Sequence, residues 1–152
     1  MANTQAVCTS FKGELLAAGH NFNSTNVART VNTVDAFKAA LYLASATVNA
    51  ASTAYSVTGE VSGTGYTAGG VTVTNATAPS TSGTTAFWTP SANFAWTTVT
   101  LATAFDAVLL YNSTQSNKAV AVYTFGSQTV TAGNFTLTMP TNDATNALLR
   151  LA

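Results

Sequence analysis

Among side chains that do acid–base, thiolate or metal chemistry near neutral pH, this sequence has one histidine, His20, and one cysteine, Cys8. It adds five carboxylates: Glu14, Asp35, Glu60, Asp106 and Asp143. His20 alone has an ordinary titration range suited to general base work at pH 7. It sits between Gly19 and Asn21, a turn-forming context. A Cys8–His20 dyad has the two required residue types, but neither lies in a local signature that such dyads use. A Ser/His/Asp arrangement would draw on His20 with Asp35, Asp106 or Asp143, and no nucleophile-elbow sequence selects one of the many serines. Paired carboxylates for glycoside hydrolysis meet the same difficulty, because nothing in their spacing picks a pair. The carboxylates read instead as solvated groups, turn caps or intersubunit partners. No catalytic residue is assigned, and the chain is expected not to be an enzyme.

Metal and cofactor chemistry is equally thin. One His and one Cys do not make a standard zinc site, and no EF-hand spacing occurs. The run Gly63-Thr64-Gly65-Tyr66-Thr67-Ala68-Gly69-Gly70 matches neither the dinucleotide fingerprint nor the P-loop. It reads as a turn or bulge in which glycine permits unusual backbone angles. No cofactor and no metal are expected. Cys8 reads as a buried thiol or an N-terminal strand residue, and as the sole cysteine it excludes an intrachain disulfide. What remains is an aromatic concentration, Phe87, Trp88, Phe94 and Trp96, with Thr89-Pro90-Ser91 bending the chain between the pairs. These four serve as core, as a protein interface or as a sugar-stacking platform. They are the candidate interface residues.

The elements that would position them are strands. Phe37, Ala39, Leu41 and Leu43 recur with period two, the signal of a half-buried strand, and Val71 to Thr74 alternates likewise. Pro79, Ser80, Ser82 and Gly83 mark a connection. Phe94 and Trp96 share a parity that Val99 and Leu101 do not, which predicts an intervening bulge or a break between strands. Ala107 to Tyr111 reads as a strongly apolar strand, Asn112 to Asn117 as a polar turn, and Lys118 to Phe125 as its antiparallel return. A last alternating strand aligns Phe135, Leu137 and Met139 before Pro140, and Ala147 to Leu151 adds one more. Upstream, Phe11 to His20 reads either as a short helix or as a strand and loop. Asn21 to Thr33 is rich in turn-forming Asn, Ser and Thr. Many short strands without crossover helices predict an all-β chain: one antiparallel β-sandwich domain over 35–152, with a jelly-roll-like arrangement as the architecture of choice. Residues 1–34 form an extended arm, or a short helix and loop, packed on or beside it.

The 152 residues are 7% charged against roughly 25% in an average globular protein, with five basic and five acidic side chains. Thr, Ser, Asn, Ala and Gly replace the missing charge. Self-repulsion is therefore weak and association is physically permitted. The five cations Lys12, Arg29, Lys38, Lys118 and Arg150 form no run, so nucleic acid is not an expected partner. Neither a secretory leader nor an apolar stretch of about 20 residues is recognised, so no membrane partner is expected.

Four stretches together resemble the small head decoration or cement proteins of tailed bacteriophages: Asp35 to Leu43 (DAFKAALYL), Glu60 to Val73 (EVSGTGYTAGGVTV), Ala107 to Ala121 (AVLLYNSTQSNKAVA) and Pro140 to Leu151 (PTNDATNALLRL). The resemblance covers most of the chain after Asp35 and is distinctive as a set rather than stretch by stretch. It implies a virion structural protein that binds the major capsid protein without covalent chemistry, on the exterior of the capsid, after synthesis in the host cytoplasm. Self-association as a trimer at local three-fold positions fits such a role. The alternatives are a neck or tail component, or a receptor- or carbohydrate-binding module.

Overall fold

The structure is a computed structural model and describes residues 3–8, 10, 11, 20, 22 and 34–151. The helix-or-loop segment before His20 and the Asn-rich segment to Thr33 lie almost wholly outside the described residues. The protein is all-β, with two antiparallel sheets in a sandwich-like arrangement that is not closed. In chain order the strands are β1 (Ala6–Val7), β2 (Phe37–Leu43), β3 (Val71–Thr72), β4 (Ser80–Ser82), β5 (Thr85–Trp88), β6 (Phe94–Asn112), β7 (Lys118–Leu137) and β8 (Leu149–Leu151). One sheet runs β1-β7-β6-β2-β3 and the other β4-β5-β8. The sandwich expectation is met at the level of two antiparallel sheets, divided five and three.

β6 and β7 dominate the molecule. They span 19 and 20 residues, against a usual strand of about five or six, so the hairpin they form is about 60 Å long. Its turn is the polar Asn112 to Asn117 segment read from the sequence, closed by the pair Asn112 and Lys118. Ser116 and Asn117 adopt the left-handed backbone the turn requires, at φ 50° and 57°. The parity change between Trp96 and Val99 is a bulge within one continuous strand: the register shifts there, and Thr98 takes φ 54°. This places Phe94, Trp96, Val99 and Leu101 together in the core. The stretch from Phe135 to Leu137 is not a separate strand. It is the far end of β7, and the return from Lys118 does not stop at Phe125 because bulges absorb the mismatch between the two long strands.

Against β6 lies β2, in register from Phe37 opposite Asn112 to Tyr42 opposite Ala107, after which an irregularity sets Leu43 opposite Phe105. It was expected to have one buried face, yet Ala40 and Tyr42 are as buried as Ala39 and Leu41. A small Ala and an amphipathic Tyr conceal two-sided burial in a pattern that looks alternating. The Gly-rich run packs close to this sheet. Gly70, at φ 72°, lies so near the Ala39 carbonyl that a Cβ would collide with it, and a Cβ on Gly63 would strike the carbonyl of Thr100. The run is therefore a close-packed turn, as its glycines suggest, and it bonds the β6 edge through Thr100 N to Thr64 O at 2.9 Å.

The connection marked by Pro79 to Gly83 is itself a hairpin, β4–β5, turned by Gly83 at φ 59° and paired onward to β8. β1 extends the large sheet at Val122 and Ala121 of β7. Cys8, Phe11 and Phe22 belong to the same core as β2, β6 and β7, so the described part of residues 1–34 is packed on the main domain.

Candidate functional site

Three places gather polar or aromatic groups. The first is built at the turn of the long hairpin, where β2 begins beside the end of β6. Asn112 ends β6 fully buried, and its Oδ1 accepts the backbone N–H groups of Thr114 and Gln115, each at 3.1 Å. Those bonds fix the amide orientation. Its Nδ2 must then donate both ways: to Asp35 Oδ2 at 2.7 Å and to His20 Nδ1 at 3.0 Å. Nδ1 of His20 is consequently an acceptor, and the ring proton lies on Nε2. Gln115 Nε2 donates to the other Asp35 oxygen at 3.1 Å. His20 and Asp35, separated by 14 residues of sequence, are thus brought together, but around an amide. The neighbouring hydroxyls are already engaged: Ser113 Oγ donates to Ala36 O, and Thr114 Oγ1 accepts from Ala36 N. The arrangement pins β2, the hairpin turn and the ring of His20, which also packs edge-on against Phe11.

A second cluster surrounds Glu60. Its buried carboxylate accepts hydrogen bonds from Tyr55 Oη at 2.6 Å, Tyr66 Oη at 2.8 Å and Gly69 N at 2.7 Å. Tyr66 Oη accepts in turn from Leu41 N at 3.0 Å, and Tyr111 Oη donates to Gly69 O at 2.8 Å. Tyr55 and Tyr111 stack with centroids 4.8 Å apart. A buried carboxylate costs free energy unless its lone pairs are satisfied, and here three neutral donors do so. Burial, reinforced by the Glu60 charge, pushes Tyr111 up to about 12. Burial likewise raises Tyr42 to about 12 against the opposing bond to Ser56. Tyr55 and Tyr66 are raised further, again chiefly by burial. The phenols are held as protonated donors, so the cluster clamps the Gly-rich turn to β2 and β6. The expectation of solvated carboxylates is corrected at Asp35 and Glu60, both buried. Asp143 does match it as a cap: its carboxylate takes Asn146, Thr141 and Thr145, which hold it well below the usual range. Asp106 accepts from Asn3 at 2.6 Å, and Glu14 lies outside the described residues.

The aromatic candidates divide. Trp88, Phe94 and Trp96 are buried, while Phe87 is half-buried. Trp88 packs on Phe22 and Phe37, and its Nε1 donates to Asn75 Oδ1 and Thr77 O. Trp96 lies against Phe135, and its Nε1 is buried with no hydrogen-bond partner among the described residues. Three of the four proposed interface residues are therefore core in the single chain, which leaves Phe87 as the one that reaches solvent. The Cys8 thiol is buried too, facing Asn49 O at 3.8 Å.

The third place is the open side of the sandwich, which sequence reasoning missed because its walls come from distant strands. Residues of β1 and β8, the terminal strands of the two sheets, line two adjoining cavities. One, of about 160 Å³, is walled by Val7, Phe11, Phe22, Phe87, Trp88 and Leu149, with Arg150 at its side. The other, of about 460 Å³, runs between Gln5 to Val7, Tyr123 and the segment Ala147 to Arg150. The alternation of Leu149 and Leu151 around Arg150 in β8 carried part of this signal. No group of three or more metal-ligating side chains occurs among the described residues, and no helix among them is long and apolar enough to cross a membrane. No family model, no curated protein and no solved structure matches the chain.

Proposed function

We propose that the chain is a noncovalent structural subunit of a particle, decorating or cementing the major capsid lattice of a tailed phage. The observation that carries this reading is the distal hairpin. Between Lys118 and Asp143 there is no charged residue, and Phe125, Val130, Phe135, Leu137 and Met139 stand half-buried along that stretch. Strand edges that must stay apart usually carry Lys, Glu or Pro as guards, so a long neutral ribbon suits a surface that is covered in use. The four stretches that resemble decoration proteins add support. Three of them form β2, the glycine turn clamped by Glu60, and the turn end of the β6–β7 hairpin, which pack as one unit. Many modest contacts of this kind become strong on a repeating lattice.

Particle reconstruction tests the proposal, with density for this fold expected on the head exterior. Density confined to the neck or tail would overturn the capsid assignment. Most copies should stay on purified particles between about 0.1 and 1 M NaCl, where the Debye length falls to roughly 3 Å, because neutral contacts outnumber any single ion pair. The carbohydrate-module alternative has less support, since Trp88, Phe94 and Trp96 offer no ring face to solvent.

A further inference from the structure

We propose that the open side of the sandwich receives an extended segment of the partner polypeptide carrying an apolar side chain next to an acidic one. The inference rests on the reading of the chain as an assembly subunit and names where on it the partner is held. Three observations converge. β1 and β8 each end a sheet, and among the described residues each has a strand neighbour on one side only, β7 and β5 respectively. A terminal strand presents unpaired N–H and C=O groups, the natural template for adding a strand. β1, β4 and β5 carry no charged residue that would repel one.

The shape of the gap specifies the side chains. Its smaller cavity, about 160 Å³, is walled almost entirely by apolar groups. A dry cavity of about 150 Å³ lined by Leu, Ile and Phe accepts benzene, so this one has room for a single Phe or Leu side chain. Leu151 lies at the same mouth with 46% of its surface exposed. Arg150 is the one charged residue in both linings. Its guanidinium has one hydrogen bond, to Ala144 O at 3.3 Å, and no carboxylate among the described residues. A guanidinium prefers a bidentate carboxylate. Because side chains alternate along a strand, an apolar residue entering the small cavity leaves its neighbour pointing to the opposite, wetter side. There the larger cavity has Gln5, Asn146 and Arg150 on its walls.

The test uses the full chain and two terminally blocked nonapeptides of Thr, Ser and Val, with a central Phe followed by either Asp or Lys. Affinity is read by fluorescence anisotropy, and the site is mapped by amide shift changes in β1 and β8. The Asp peptide is expected to bind at least about tenfold more tightly, the worth of one charge-assisted hydrogen bond at a partly exposed site. Arg150→Gln should erase that ratio, and Leu151→Asp, which puts a carboxylate at the mouth of the apolar cavity, should weaken binding of both peptides. Both positions are exposed, so neither change should disturb folding. Ala86→Phe, which fills the cavity, should remove binding of both peptides, with circular dichroism confirming the fold. Equal affinity for the two peptides, or no binding, overturns the inference. So does tighter binding of decanoate at the same residues, which would make the cavity a small-molecule site. Concentration-dependent dimerisation through β1 and β8 overturns it as well, by assigning the gap to a second copy. If wild-type chain occupies particles and Arg150→Gln and Leu151→Asp occupy them equally well, the docking inference fails while the proposed function stands. Specific peptide binding by a chain absent from particles gives the reverse result.

Discussion

The two ends of the β6–β7 hairpin are one continuous ribbon with two different burial regimes. Near the turn, every residue from Ala107 to Asn112 and from Ala119 to Val122 is buried. At the far end, Phe94, Trp96, Val99 and Leu101 are buried while Ala95, Thr97 and Thr98 face solvent, and the β7 partners are at most half-buried. The turn end lies between β1 and β2 and is covered on both faces, whereas the far end is covered on one. The same backbone pairing therefore does different work. One end supplies most of the core, and the other carries a neutral surface outward. Length is possible because bulges let each end keep its own register without breaking the strand.

Deleting side chain volume should separate the ends most sharply. Leu109→Ala, at a position with 0% exposure in the doubly covered region, should cost about 2–5 kcal/mol, because the surrounding structure closes the cavity only partly. Val130→Ala on the half-buried far end should cost about 1 kcal/mol or less. Urea denaturation of both variants measures the contrast. Equal losses would show that the far end is as integral to the core as the turn end.

The Glu60 cluster sets the next effect, because it ties the Gly-rich turn across β2 and β6. Tyr66→Phe removes a donor to the buried carboxylate and the acceptor for Leu41 N, which should cost about 1–3 kcal/mol at neutral pH. Chemical denaturation of the variant is the measurement. A loss below about 0.5 kcal/mol would mean that water replaces the phenol and that the cluster is not a clamp.

The same phenols give a pH dependence. Burial raises Tyr42 and Tyr111 from the ordinary phenol value of 10.0 to about 12, so between those values the folded chain holds protons that the unfolded chain has lost. Stability is then fully present below about pH 10 and falls as pH rises towards 12. Tyrosinate absorbance should lag behind that of free tyrosine and rise with unfolding. A gradual titration centred near 10, with the fold intact, would contradict the burial of these hydroxyls.

Fold class was legible because alternation at Phe37 to Leu43, the polar turn at Asn112 to Asn117 and the parity change at Trp96 are local signals. Two-sided burial was not, since Ala40 and Tyr42 satisfy an alternating pattern whether or not their face is covered. Nor was the merging of the Lys118 and Phe135 segments into one strand, because Gly126, Ser127 and Gln128 look like a loop but sit in the irregular part of the ladder. At the polar clusters the sequence offered His20 and Asp35 but not Asn112, the residue that joins them. A strand-ending Asn before Ser-Thr is the signal that would have pointed to its capping role. The partners of Glu60 are similarly hidden, because two tyrosines and a glycine N–H at uneven spacing, Tyr55, Tyr66 and Gly69, have no linear signature.

The smallest effect concerns what allows the two ends to differ, the bulge at Thr98. A β-branched residue at φ 54° is in a region that costs of order 1–3 kcal/mol, and the conformation persists because its surroundings hold it. Asn134 Oδ1 accepts the Thr98 N–H at 2.9 Å, and Gly65 packs against the Thr98 carbonyl from the other side. Thr98→Gly keeps both backbone contacts and removes the strain. It also gives the unfolded chain more freedom, a loss of about 0.5–1 kcal/mol. With the strain at the low end of that range the balance should be a small stabilisation, under about 1 kcal/mol. Thr97 is exposed and has no left-handed backbone, so Thr97→Gly should suffer the entropic loss alone and melt at a lower temperature than the parent. Thermal denaturation of the two variants therefore gives opposite signs if the bulge is a strained hinge between the two regimes. A Thr98→Gly variant that is destabilised as much as Thr97→Gly would mean that the bulge is held without strain, and that the difference between the ends comes from what covers them alone.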